Sequence, residues 1–130
     1  MYKWQSLALL FFIGAINYAD RTALSAVFPL VQRDLGMSNV GLAAIGSLFL
    51  WSYAIGSPIA GAVADRFPRS RMIFWSLVGW SAVTLATALV RNQEQLFLAR
   101  VLLGMAECAY LPAAFAFISD YHQDKTRATA

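Results

Sequence analysis

The sequence predicts an all-α, polytopic membrane protein with four transmembrane helices, and three observations carry that reading. Hydrophobic residues make up 59% of the 130-residue chain and charged residues only 13%, whereas an ordinary soluble domain is ~25% charged. The apolar residues gather into four runs, each near the ~20 residues that a helix needs to cross ~30 Å of hydrocarbon. The stretches between the runs are short and polar, so successive helices must lie antiparallel. Mean hydropathy is +0.57, and residues 1–130 read as one membrane domain without a soluble module or low-complexity linker.

The first run, 7–30, imitates a signal peptide only at its start. It is too long, it is interrupted by Asp20 and Arg21, and more runs follow it, so a retained first span is expected. The second run, 42–64, sets Ser52, Gly56 and Ala60 on one helical ridge and Ser57 and Gly61 on the next. Such small residues let helix backbones approach closely where no hydrophobic force drives them together. The third and fourth runs cover 73–90 and 96–118. Pro58 and Pro112 are expected to kink helices 2 and 4, leaving carbonyls for neighbouring helices or water to satisfy. Polar connectors are expected at 31–41, 65–71 and 91–95.

An N-terminus on the cytoplasmic side gathers Lys3, Arg66, Arg69, Arg71, Lys125 and Arg127 there and leaves Arg33 and Arg91 outside. That asymmetry predicts both termini and the loop 65–71 in the cytoplasm. The net charge of +3 does not indicate a nucleic-acid partner, because the basic residues are dispersed between apolar blocks instead of forming a stripe. Cys108 is the single cysteine, which excludes an intrachain disulfide or a multi-cysteine metal site and reads as a small buried thiol. There is no metal-ligand spacing, nucleophile with a base, or phosphate-binding glycine loop. Neither cofactor nor metal is expected, and an intramembrane enzyme built on Asp20, Glu107 or His122 is disfavoured.

Asp20, Arg21, Arg100 and Glu107 fall inside predicted spans. An ionised side chain at the bilayer centre costs ~2.5–3.5 kcal/mol on insertion scales, so four of them facing lipid would cost roughly 10 kcal/mol or more. They are expected to face protein or water. At ~1.5 Å per residue Asp20 lies about 20 Å along helix 1 and Glu107 about 16 Å along helix 4, both deep. Arg100, Gly104 and Glu107 share a face of helix 4, where the glycine is expected to leave room for a ligand or water. Asn17 with Asp20 or Arg21 forms a partly polar stripe on helix 1. Antiparallel helices bring Asp20 and Arg100 to similar depths, where they could pair. The competing reading has Arg100 snorkelling to the outer surface and Asp20 neutralised by Arg21. Adjacent helical residues diverge by ~100°, which disfavours that second pairing.

A carboxylate driven towards its neutral form by burial and back to its ionised form by an approaching arginine is a proton-coupling device. An arginine in a wet cavity also holds an anion bidentately, which lysine does less well. Asp20 is therefore expected to take a proton and Arg21 an anion.

The stretch Gly61-Ala-Val-Ala-Asp65-Arg66-Phe-Pro68-Arg69-Ser70-Arg71 resembles the signature between helices 2 and 3 of the major facilitator superfamily, Gly-x-x-x-Asp-Arg/Lys-x-Gly-Arg-Arg/Lys. Gly61, Asp65, Arg66 and Arg69 match; Pro68 stands where glycine is usual and Ser70 where a basic residue is common. The resemblance implies that Asp65 and Arg69 belong to a cytoplasmic charge network that steadies one alternating state. Alternatively, the arginines merely enforce topology. Within the superfamily, Asn17-Tyr18-Ala-Asp20-Arg21 and Arg100-Val-Leu-Leu-Gly104-Met-Ala-Glu107-Cys-Ala-Tyr-Leu-Pro112 resemble the anion:cation symporter family. Spinster-like lipid transporters come second, sharing Asn-Tyr-x-Asp-Arg and Gly-x-x-Glu-x-x-Tyr; Pro112 favours the symporters.

That resemblance implies proton-coupled symport of a small organic anion, such as a sugar acid, by alternating access. Asn17, Tyr18 and Arg21 would contact substrate, Asp20 and Glu107 would exchange protons, and Arg100 would link the two. It further implies a parent of twelve helices in two six-helix halves, each built from inverted three-helix repeats. The chain would be one repeat and the first helix of the next, part of the N-terminal half, with the remaining helices and the lipid bilayer as partners. Such a piece is expected in a bacterial inner membrane and not to transport alone. The tail 120–130 resembles the loop that leads to helix 5. A small self-assembling four-helix membrane protein, such as a dimeric exporter, would explain the length but not the signature loop.

Overall fold

The computed structural model describes residues 2–121, which contain helices and no strand. In chain order the elements are α1 (Tyr2–Ala26), α2 (Phe28–Leu35), α3 (Asn39–Ala64), α4 (Arg69–Thr87), α5 (Gln93–Glu107) and α6 (Tyr110–Tyr121). Three stretches are long and apolar enough to cross a membrane: Trp4–Ala26, Asn39–Ala64, and α5 with α6 taken together, Gln93–Tyr121. His122, Lys125, Arg127 and most of the tail lie outside the described residues.

Prolines and caps explain why the helices do not coincide with the apolar runs. The run 7–30 is not one helix, because α1 stops at Ala26 and α2 starts at Phe28 with Pro29 in its first turn. Proline lacks an N–H and fits a first turn, where no intrahelical donor is needed. The run 96–118 also divides, after Glu107. In an unbroken helix the Pro112 ring would strike the carbonyl of Cys108, and the turn falls there. Pro58, by contrast, stays inside continuous α3.

The expected polar loop 31–41 needs the largest correction, since α2 carries the helix on to Leu35. Phe28, Val31 and Leu35 recur at helical spacing and pack with buried Met37, Ile45 and Leu96. Gly36 ends α2 with φ 62°, in the left-handed region that favours glycine. Ser38 Oγ then accepts from Gly41 N at 3.1 Å and Asn92 Oδ1 from Gln95 N at 2.9 Å. These N-caps start α3 and α5 a turn earlier than hydropathy alone suggests. The connector after α3 is shorter than 65–71 because α4 begins at Arg69, directly after Pro68.

α5 runs between α3 and α4, and small residues set how closely it approaches α3. A Cβ on Gly104 would lie 2.7 Å from the Phe49 carbonyl oxygen, and one on Gly56 would lie 2.6 Å from Cys108 Sγ. The ridge Ser52, Gly56 therefore seats α5. Gly104 leaves no room for ligand or water, contrary to expectation, because the α3 backbone fills that space.

α1 is held differently. Among the described residues Leu10 and Asn17 are the buried ones on it, and three of its polar bonds are long-range. Tyr110 Oη donates to the Leu10 carbonyl at 2.7 Å, Trp80 Nε1 to Asp20 Oδ2 at 2.9 Å, and Arg21 Nε to Glu107 Oε2 at 2.8 Å.

Replacing Gly104 by Ala should lower stability by about 1–3 kcal/mol, the usual cost of overpacking a tight interface. Gly61→Ala, where no atom lies within 4 Å of the added Cβ, should be neutral or mildly stabilising. Thermal melts of the two variants in detergent check the contrast.

Candidate functional site

Asn17 and Arg21 are one helical turn apart on α1, so their side chains share a face. That face meets Glu107, the last residue of α5. The Glu107 side chain is fully buried, the Arg21 side chain is 27% exposed, and their ion pair measures 2.8 Å. The Arg21 guanidinium carbon also lies 4.9 Å from the ring centroid of Phe49 and 4.8 Å from that of Tyr53. The two rings, a turn apart on α3, are stacked with 30° between their planes. One carboxylate and two aromatic faces thus stabilise a cation that lipid would not.

The pair is not fully satisfied. Asn17 faces the same carboxylate, yet Asn17 Nδ2 and Glu107 Oε1 are both buried outside hydrogen-bond geometry, with no partner among the described residues. An unmade bond at a buried polar group costs about 1–3 kcal/mol. A donor and an acceptor left unpaired side by side mark a place where a polar guest or a small rearrangement is favoured.

Asp20 is rotated by ~100° from Arg21 and faces α4 instead, accepting from Trp80 Nε1. A cavity of about 300 Å³ opens beside it, lined in part by Leu24, Thr84, Thr87, Arg100 and Leu103. Arg100 is 8% exposed, its Nε has no hydrogen-bond partner among the described residues, and it also borders a second cavity of about 60 Å³ with Arg21, Ser25 and Phe49. It stands between the two spaces and does not reach an outer surface.

The expected pairing of Asp20 with Arg100 does not occur. Both residues border the larger cavity without forming an ion pair, and the carboxylate that meets an arginine is Glu107, on Arg21. Arg100 precedes Glu107 by about 10 Å along the helix, so one α1 face cannot serve both.

The other expected site residues are dispersed. Tyr18 is 69% exposed and borders neither of these cavities. Asp65 and Arg66 are exposed and form no ion pair among the described residues, and Gly61 is open on its outer side. Arg69 pairs with Asp120 and donates from Nη1 to the Ala116 carbonyl at 3.0 Å, which fastens the first turn of α4 to the end of α6. Phe49, Tyr53 and Trp80 were not foreseen. The i, i+4 aromatic pair beside Ser52 is a visible signal, and a buried indole N–H ordinarily requires an acceptor.

Residues 10–130 match the profile of the Major Facilitator Superfamily. The chain is 32% identical, over 98% of its length, to the probable galactarate/D-glucarate transporter GudP of Escherichia coli (strain K12). It is 38% identical over 81% of its length to a hexuronate transporter of Bacillus subtilis (strain 168), and 31% identical over 92% to the sphingosine-1-phosphate transporter SPNS2 of Mus musculus. It spans 30%, 25% and 22% of those proteins respectively.

A double-mutant cycle with Arg21→Met and Glu107→Leu should show each single change destabilising and the double change less so than their sum. A coupling of about 1–3 kcal/mol is expected for such a pair, read from thermal or denaturant unfolding in detergent. Additive losses would mean that the two side chains do not stabilise one another.

Proposed function

The chain belongs to the Major Facilitator Superfamily, and from that premise we propose that the protein is a secondary active transporter carrying a small organic anion of the sugar-acid class with protons. The observation that carries this reading is the Arg21–Glu107 pair. A substrate carboxylate is chemically the same acceptor as Glu107 Oε2, so it can take the guanidinium in its place. The displaced Glu107 carboxylate then binds a proton. Site charge is conserved when a monocarboxylate such as a hexuronate enters with one proton, whereas an aldarate brings a second carboxylate that the single proton does not balance; when substrate and proton leave, the pair re-forms.

Asn17 supplies a donor to the incoming anion, and Tyr18 reaches it from the exposed flank of α1. Asp20, on the larger cavity, exchanges protons as Glu107 does, and Arg100, which stays protonated, links the two carboxylates electrostatically. The relatives named for galactarate, glucarate and hexuronate transport support the substrate class; the likeness to SPNS2 makes a lipid cargo the second reading.

In this scheme α1, α3, α4 and the α5–α6 pair each cross the membrane once, with the N-terminus and residues 65–68 in the cytoplasm, as the basic residues favour. Gly61, Asp65, Arg66 and Arg69 form the gating loop, where the Arg69–Asp120 pair holds one of the alternating states. The membrane is a bacterial inner membrane, in keeping with the bacterial relatives.

Uptake of labelled D-glucarate and hexuronate by the protein as its reading frame encodes it tests the proposal. Glu107→Gln is expected to lose accumulation driven by a proton gradient while retaining exchange of internal for external substrate. Arg21→Lys should raise KM about tenfold, the equivalent of ~1.4 kcal/mol. Proton-driven accumulation by Glu107→Gln at the native level would refute the coupling, and selective uptake of a lysolipid would favour the second reading.

A further inference from the structure

Trp80 has no part in the exchange just described, yet it is the buried tryptophan of the chain, 4% exposed against 55%, 69% and 66% for Trp4, Trp51 and Trp75. Its single polar atom is the one that meets Asp20. The indole ring packs with Phe49 and Leu103; Phe49 also lies under Arg21, and Leu103 lines the cavity that Asp20 borders. One ring therefore touches the walls of both polar groups.

The chemistry of that contact is asymmetric. An indole N–H only donates, and a hydrogen bond to an ionised carboxylate is roughly twice as strong as one to a neutral acceptor. A proton on Asp20 Oδ2 would set hydrogen against hydrogen; a proton on Oδ1 would weaken the bond. The charged groups near Asp20 are Arg21 on its own helix and Arg100 and Glu107 on α5. α4 presents Trp80, Ser81 and Thr84, none of which is ionisable. The indole is thus the contact from α4 that responds to the charge on Asp20.

Resting on the reading of Asp20 as a proton-exchanging residue, we propose that Trp80 is its positioning residue. It holds α1 against α4 while Asp20 is ionised and lets go when Asp20 takes a proton. Among the three long-range polar bonds described for α1 this is the one to α4, so its loss frees that contact between the two helices.

The experiment is solution NMR of the full protein in nanodiscs with 15N-indole labelling. The Trp80 N–H resonance should be missing in Trp80→Phe, move through one titration as pH is varied, and stay fixed in Asp20→Asn. The signals of the three exposed tryptophans should not follow that titration. If Trp80→Phe does not fold, Trp80→Tyr, which keeps a polar aromatic side chain without an indole N–H, assigns the signal by its loss. A Trp80 resonance that is silent across the pH range over which proton-driven uptake changes overturns this inference and leaves the carriage scheme standing. A resonance that titrates and is fixed by Asp20→Asn, in a protein that shows no proton-driven uptake, upholds the bond and counts against the carriage scheme instead.

Discussion

A fully buried carboxylate is costly without a counter-charge, and Glu107 finds one in Arg21. Taking two ions out of water costs several kcal/mol each even after the surroundings relax, and mutual attraction roughly offsets the cost. The pair therefore adds little net stability. It fixes where α1 lies relative to α5, and its near balance makes it exchangeable. In the carriage scheme we propose, that balance lets a substrate carboxylate replace the one already present at small net cost.

The surrounding packing serves that balance. Gly104 and Gly56 let α5 settle onto α3, which brings Phe49 and Tyr53 over the guanidinium. The break at Cys108, imposed by Pro112, ends α5 at Glu107 and places the carboxylate at a helix terminus beside a turn. Among the described residues α1 is tied in by Leu10 and Ile13 in the core clusters and by three long-range polar bonds. Polar bonds of this kind can exchange partners, whereas interdigitated apolar side chains cannot shift without disrupting the core.

Much of this was legible in the sequence, for identifiable reasons. The helical class follows from the length of the apolar runs, and membrane residence from their hydropathy. The small-residue ridge at Ser52 and Gly56 was recognisable because its spacing is helical and its role depends on size alone. Intramembrane charge singled out Asp20, Arg21, Arg100 and Glu107. Their partners were not legible, because one residue of rotation, ~100°, decides whether Asp20 or Arg21 meets α5, and sequence does not give the rotation of a helix. Trp80 was hidden for a related reason: in an apolar run an indole reads as bulk hydrophobe, and its N–H matters only once an acceptor stands opposite. The breaks at Pro29 and Pro112 were partly readable, whereas the amphipathic turn of α2 was masked by polar neighbours.

The exchange of one carboxylate for another on Arg21 is the central claim, and infrared difference spectroscopy on substrate addition tests it most directly. Saturating D-glucarate should raise a protonated carboxylic-acid band in the wild-type protein, and that band should vanish in Glu107→Gln. A substrate-induced spectrum that contains no such band, or one that survives the substitution unchanged, would contradict the account.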